Sequence, residues 1–292
     1  MVVSYRPELD VSSPLDPEVV NWYQSAIGVL RWAVELGRID IATPVSMLAS
    51  QMVQPRTGHL VAVLRVFAYL KKHHNARIVH DASYPRIDHS VFVTADWKPF
   101  YGDVEEAKPG NAPPPRGQPV TIVLFVDADH AGNRMTRRSR TGFIIYINNS
   151  PIVWYTKKQG SVEGATFGSE LMAMKTATEE NRALRYKLRM MGVPVETPTY
   201  MYGDNMSVIH NTSKPESTLK KKSNSIAYHL IREAVAKGEI LTAYVPSKEN
   251  VADILSKPLP VSGHWKDLVR KVLWDIYSYN TQRGQVSGCK SG

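Results

Sequence analysis

The 292 residues carry 36 Lys and Arg against 27 Asp and Glu, a formal net charge of +9, and 43% of them are apolar. At roughly 150 residues per domain this length corresponds to about two domains, enough to bury a sizeable core, which excludes disorder as a description of the whole chain. Residues 1–120 hold 12 basic and 12 acidic side chains, so the entire excess lies in 121–292, where it favours a polyanionic partner.

From the N-terminus, Pro17–Ser50 and Thr57–Lys72 read as a helical hairpin. In the second segment Leu60, Val63, Leu64, Val66, Phe67 and Leu70 recur at helical spacing, with Arg65, Lys71 and Lys72 on the other side. Arg77–Ser83 and Ser90–Thr94 are short strand candidates. Tyr101–Pro119 is acidic and rich in Pro and Gly without periodicity, so a linker and a domain boundary are expected there. Val120–Val126 is a β-branched apolar run, followed by a predicted hairpin, Gly142–Asn148 with Pro151–Thr156. Thr166–Met191 reads as a long helix, acidic early and basic late, stopped by Gly192. Beyond it the pattern alternates: strand Thr199–Tyr202, helix Asn205–Asn211, helix Asn224–Lys237, strand Ile240–Val245 and helix Glu249–Ser256, stopped by Pro258. Strands first and then alternating helices and strands predict an α/β sheet that begins with a three-strand meander.

The lone cysteine, Cys289, provides neither a disulfide framework nor a Cys-based zinc site. No secretory signal is visible, and the most apolar run, Leu60–Leu70, is short and broken by Arg65, so a membrane span is not expected. Four acids fall at the edges of the predicted elements: Asp127 after the apolar strand, Glu170 early in the long helix, Asp204 at a strand end, and Asp253 in the last helix. Singly, acids at such positions are ordinary caps. Collected at strand ends of an α/β sheet they are where chemistry gathers.

Six stretches follow one another in the second half: FVDADHAGNRMTRRSRTGF (125–143), PIVWYTKKQ (151–159), SELMAM (169–174), YGDNMSVI (202–209), IAYHLIREAVAKGEI (226–240) and ENVADILSKPLP (249–260). In their order and spacing this half resembles the ribonuclease H domain at the C-terminus of copia-type (Ty/copia) retrotransposon polyproteins. More faintly, residues 20–83 resemble the thumb-like and connecting segments that come after the polymerase palm in the same polyproteins. The polymerase's aromatic-x-Asp-Asp turn is absent, so no polymerase site is expected. The organisation implied is a helical remnant over 1–100, a linker over 101–119, a ribonuclease H-like mixed sheet with flanking helices over 120–260, and a C-terminal helix with a polar tail over 261–292. A truncated chain beginning near Gln118 is accordingly expected to retain the chemistry.

The resemblance implies hydrolysis of the RNA strand of RNA·DNA hybrids, with Asp127, Glu170, Asp204 and Asp253 as both catalytic residues and metal ligands. Asp129 rivals Asp127; the latter alternates in phase with Val123 and Phe125, and the former is expected in the turn. Two departures stand out, Gly168 where the family often has a second acid and Ser223 where a histidine commonly follows the lysines. Two Mg²⁺ ions, with Mn²⁺ as a substitute, suit such a site because they take hard oxygen ligands and stabilise both oxygens of an in-line displacement. Arg137, Arg138, Lys157, Lys158, Gln159, Asn205 and Lys220, Lys221 and Lys222 are the candidate nucleic-acid contacts, and binding through them should weaken with salt. The implied partners are the hybrid and the remainder of the reverse transcriptase polyprotein, with no membrane. The implied location is the cytoplasm, within a virus-like particle, or alternatively the nucleus. Competing readings are a decayed or domesticated hybrid-binding module and another two-metal nuclease or transferase of the same fold class.

Overall fold

The computed structural model describes residues 5–219, 222–259, 263–274 and 276. Lys220, Lys221, Cys289 and most of the predicted polar tail therefore lie outside the described residues. Three helices open the chain: α1 (Pro17–Glu35), α2 (Ala42–Ala49) and α3 (Thr57–Lys72). Pro17 begins α1 where its missing N–H costs nothing, and Tyr23, Ala26, Ile27, Leu30 and Val34 form its buried stripe. On α3 the buried stripe is His59, Val63, Val66 and Tyr69, whereas Leu64 is half exposed. His59 joins that stripe because both ring nitrogens are engaged, Nδ1 by the Arg56 N–H at 2.9 Å and Nε2 by the Pro7 carbonyl at 2.8 Å.

The two short strands predicted in 77–94 do not form. Apart from one isolated bridge between Arg77 and Trp274, the backbone of 81–83 bonds side chains at the hairpin turn, with Ser150 Oγ accepting the Asp81 N–H, Asn148 Nδ2 donating to the Ala82 carbonyl and Asn149 Nδ2 to that of Ser83. Residues 89–91 make a 3₁₀ turn instead of a strand, after which Phe92 lies against Tyr200 and Tyr202. A single helical turn, α4 (Lys98–Tyr101), precedes the Pro/Gly-rich stretch. That stretch is irregular, as its composition predicts, yet it is clamped to its surroundings: Glu106 is paired with two arginines, and the Arg116 N–H donates to the Gly192 carbonyl at 2.8 Å.

The sheet comes next: β1 (Ile122–Asp129), β2 (Arg140–Ile147) and β3 (Ser150–Lys158), then the long helix α5 (Thr166–Met190), β4 (Thr199–Gly203), α6 (Met206–Ser213), α7 (Ser225–Ala236), β5 (Ile240–Tyr244), α8 (Asp253–Ser256) and α9 (Gly263–Val272). Strand order is β3-β2-β1-β4-β5; β1, β2 and β3 are antiparallel, and β4 and β5 run parallel to β1. This is the α/β mixed sheet with a three-strand meander and flanking helices that the sequence predicts. The long helix stops at Gly192, whose φ of +75° lets the chain turn back while the Val193 N–H returns to the Leu188 carbonyl. The last predicted helix is shorter than expected. Residues 246–252 form turns, because the Asn250 carboxamide donates to the Val126 carbonyl and accepts from the Ala252 N–H, replacing a helical ladder.

Alternation along the strands builds two cores. Ile122, Leu124, Val126, Phe143 and Ile145 pack with Leu171, Met174, Ala177 and Leu188 of α5 and with residues of α6 and α7. On the opposite face Ile144, Phe125, Tyr146 and Trp154 join the apolar stripes of α1, α2 and α3 together with α8 and α9. Hydrogen bonds cross this second interface: Thr43 Oγ1 donates to the Ile254 carbonyl at 2.7 Å, and Trp154 Nε1 to that of Val34 at 3.0 Å. The N-terminal helices and the β1–β3 face thus share one hydrophobic core.

Candidate metal centre

Three elements of the sheet layer deliver three carboxylates to one place. Asp127 is the sixth residue of β1, the central strand; Asp204 immediately follows β4, which pairs with β1 up to Val126 and Gly203; Glu170 lies in the second turn of α5, which packs on β1 and β2. One carboxylate oxygen from each lies within 4.8 Å of the other two. A divalent ion with oxygen ligands at about 2.1 Å spans roughly 4.2 Å between opposite ligands, so the trio is close to the size of one coordination sphere. The donors are all hard carboxylate oxygens, with neither Cys nor His among them, and this chemistry fits Mg²⁺.

Asp253 reaches the same cluster by a different route. Its helix α8 is pressed against β2 at Gly142, where a Cβ would stand 2.6 Å from the backbone of Leu255 and Ser256, so only glycine admits the approach. From there the Ser256 hydroxyl donates to Asp127 Oδ2, and the Lys257 ammonium lies 3.0 Å from Asp127 Oδ1 and 2.8 Å from Asp253 Oδ1. Asp253 is therefore joined to Asp127 through a lysine and does not belong to the trio. The electrostatics are those of an excess of buried negative charge. Burial raises Asp127, Glu170 and Asp204 above the ordinary carboxylate range, and repulsion adds to it, from Asp253 at Asp127, from Asp127 and Asp204 at Glu170, and from Asp127 at Asp204. Lys257 opposes this, and Ser247 Oγ, donating to Asp204 Oδ2 at 2.7 Å, holds that carboxylate in place.

The rival Asp129 closes β1, where the sequence predicts a turn, and stands outside the trio with its carboxylate over Gly132. It borders a basic hollow lined by Arg6, Arg138, Arg140 and Lys158. Within it Arg140 is buried and bonds Ser46 Oγ at 2.6 Å; loss of water holds its guanidinium down at about 10, leaving it charged at neutral pH. Arg137, Arg138, Lys157 and Lys222 are exposed and Lys158 is half-buried. Gln159 is the exception among the predicted contacts. It is buried, and its Nε2 donates to the Ser169 carbonyl at 2.9 Å and to Thr141 Oγ1 at 3.1 Å, tying α5 to β2 one residue from Glu170. Its Nε2 is committed to the interior, and its Oε1, also buried, has no hydrogen-bond partner among the described residues. Asn205 caps α6, accepting the Val208 N–H, and keeps its amide N–H groups free of that bond.

Sequence reasoning missed Lys257, Ser256, Ser247 and the tight glycine at position 142. The Asp253/Lys257 spacing of four residues was a visible signal, since one helical turn brings such a pair together. No local pattern indicates that the same lysine also reaches Asp127, 130 residues away.

No family model matches the chain. Among curated proteins it is 26% identical over 237 residues to the retrovirus-related Pol polyprotein from transposon RE1 of Arabidopsis thaliana, a match covering 81% of this chain and 14% of that protein. It is 26% identical over 238 residues to the Pol polyprotein from transposon TNT 1-94 of Nicotiana tabacum, covering 82% and 15% respectively. The chain thus spans about one-seventh of the length of these relatives. Among solved structures, LC11-RNase H1 in complex with an RNA/DNA hybrid aligns at 15% identity over 48% of this chain and 96% of that one, with a TM-score of 0.39. Over about four-fifths of its length this chain is a homologue of the retrovirus-related Pol polyproteins of copia-type transposons.

Proposed function

We propose that this chain contains the ribonuclease H of a copia-type retroelement, cutting the RNA strand of RNA·DNA hybrids endonucleolytically during reverse transcription. The observation that carries this reading is the meeting of Asp127, Glu170 and Asp204, three buried carboxylates from three elements, in a homologue of Pol polyproteins. Their raised proton affinities mark a cluster that costs stability as it stands and is relieved by a cation, which folding alone does not explain. When bound, Mg²⁺, or Mn²⁺ in its place, supplies the charge that activates water and stabilises the departing oxygen, with two ions as the working number.

The chain's own residues do the remainder. Asp127, Glu170 and Asp204 hold and orient the ion, and Asp253 is the fourth carboxylate of the site. Ser247 and Ser256 fix the carboxylate rotamers by donating hydrogen bonds. Arg138, Lys157 and Lys158, with Arg137 and Lys222, face solvent on the same domain and neutralise phosphates, while Asn205 beside Asp204 offers its amide to the minor groove. Further partners in this reading are the rest of the polyprotein, in a cytoplasmic virus-like particle.

The test is incubation of a labelled RNA·DNA hybrid with the chain and with Asp204→Asn, each with and without Mg²⁺. Cleavage that requires Mg²⁺ and falls at least about 100-fold in the variant, with hybrid binding kept, is expected, a loss of roughly 3 kcal/mol of transition-state stabilisation. Equal cleavage by the two proteins rejects the site.

A further inference from the structure

Two ions in the proposed site would need two sets of oxygens. The trio provides one set. Among the described residues the carboxylate tied to the trio through a shared partner is Asp253, so the second set is Asp127 with Asp253, and these two acids already share a cation that belongs to the chain. Lys257 Nζ lies 3.0 Å from Asp127 Oδ1 and 2.8 Å from Asp253 Oδ1, both charge-assisted hydrogen bonds of ordinary length. A divalent ion coordinates oxygens at about 2.0–2.1 Å, which leaves no room for it and an ammonium between the same two atoms.

The arrangement is built. Gly142 lets α8 close onto β2, Ser256 anchors the adjoining turn to Asp127 Oδ2, and Lys257 stands one helical turn after Asp253, so its ammonium is tethered where its two partners are. The side chain is 30% exposed, which gives it a way out to solvent. Asp127 and Asp253 are almost wholly buried, so removing the lysine without a replacement leaves two carboxylates facing each other out of water.

We propose that Lys257 is a positioning residue that occupies the seat of the second ion, so that the chain alone holds one divalent ion firmly at Asp127, Glu170 and Asp204 and admits a second only by displacing its own ammonium. The inference rests on the metal-dependent reading above and deepens it. It assigns the weak ion to the Asp127–Asp253 side and the firm ion to the Glu170–Asp204 side.

Counting bound Mn²⁺ by electron paramagnetic resonance on the full chain tests both levels. For the wild type we expect one ion, with a second at least tenfold weaker. Lys257→Met, of similar length and uncharged, should tighten the second ion at least tenfold and leave the first within threefold. Lys257→Arg, which keeps a cation, should behave as wild type. Asp204→Asn should weaken the first ion at least tenfold. Two ions of equal affinity in the wild type overturn the proposal without recourse to any variant, as does a second-ion affinity in Lys257→Met that matches the wild type. Absence of any Asp204-dependent Mn²⁺ in wild type would instead reject the metal site itself, a separate failure.

Discussion

Among the groups of buried charge in the described residues, two are opposite in character. Beside the C-terminal half of α5, Glu106 from the Pro/Gly-rich stretch receives four hydrogen bonds, from Arg185 at 2.6 and 2.7 Å and from Arg189 at 2.6 and 2.7 Å. Although burial pushes its carboxyl up, the two guanidinium groups prevail and hold it down at about 2. In the other group, Asp127, Glu170 and Asp204 crowd together with one nearby ammonium, Lys257, held between Asp127 and Asp253, and burial and repulsion move all three upward. The first group has more cations than anions and lowers the energy of the fold. The second raises it, and a strained electrostatic cluster retained inside a core points to a ligand.

Breaking the first group should have the largest effect. Glu106→Ala leaves Arg185, only 2% exposed, as an uncompensated buried charge, and a loss of about 3–5 kcal/mol is expected in denaturant unfolding. A chain beginning near Gln118 loses Glu106 and also the α1–α3 cover over Ile144, Ile254 and Leu255. We expect it to lack a cooperative unfolding transition, although its four acids are intact. A cooperative, cleaving truncated chain would instead make the N-terminal helices a separate unit. The acid dependence is set by the sign of the shift: a carboxyl held below its usual value contributes stability that is present above about pH 4.5 and lost as the pH falls towards 2. Glu106→Gln should flatten that limb of the pH profile.

The second group should respond with the opposite sign. A carboxyl raised by folding adds stability below its ordinary value and loses it as the pH rises through the folded value, so the metal-free protein should melt higher at pH 5 than at pH 7.5. Glu170→Gln removes the most opposed of the charges. Metal-free, the variant should melt about 2–4 °C above wild type at pH 7.5, the equivalent of roughly 1 kcal/mol in a chain of this size. In saturating Mg²⁺ the order should reverse, because the parent alone gains binding free energy. A variant that melts lower in both conditions would place Glu170 among the stabilising charges.

The contrast also explains what the sequence disclosed. Elements whose periodicity reports their own burial were legible: the apolar run of β1, the hairpin after it, the amphipathic α5 with Gly192 at its end, and the acids at strand ends. Residues whose role depends on distant partners were not. Arg77–Ser83 is apolar enough for a strand, but asparagines of the β2–β3 turn take the carbonyls of Ala82 and Ser83 at its end. Gln159 follows two lysines and resembles a surface contact until β2 and α5 close over it. Glu106 lies in a stretch without periodicity, 79 residues from Arg185, and no local pattern announces a clamp of that separation. Lys257 combined both cases, its link to Asp253 visible and its link to Asp127 hidden.

The smallest expected effect concerns a third population of charge, the solvent-facing cations. Arg138 and Lys158 line a hollow with Arg6 and the buried Arg140 beside Asp129, two residues along β1 from Asp127. Arg140 is tied to Ser46, and Arg6 Nη1 donates to the Gly132 carbonyl at 3.0 Å, so those guanidinium groups are partly committed to the protein. Arg138 is exposed and Lys158 half-buried, and their charge is open to solvent. A cation that neutralises one phosphate contributes about 0.7–0.9 to the slope of log affinity against log salt. Arg138→Ala and Lys158→Ala should therefore each lower hybrid affinity a few-fold at low salt, reduce the slope by about that amount, and leave the melting temperature within about 1 °C, because surface substitutions are worth about 0.5 kcal/mol or less. The double variant should lose the two contributions additively. An unchanged salt slope in the double variant would remove this hollow from the nucleic-acid interface and move the phosphate contacts towards Lys157 and Lys222.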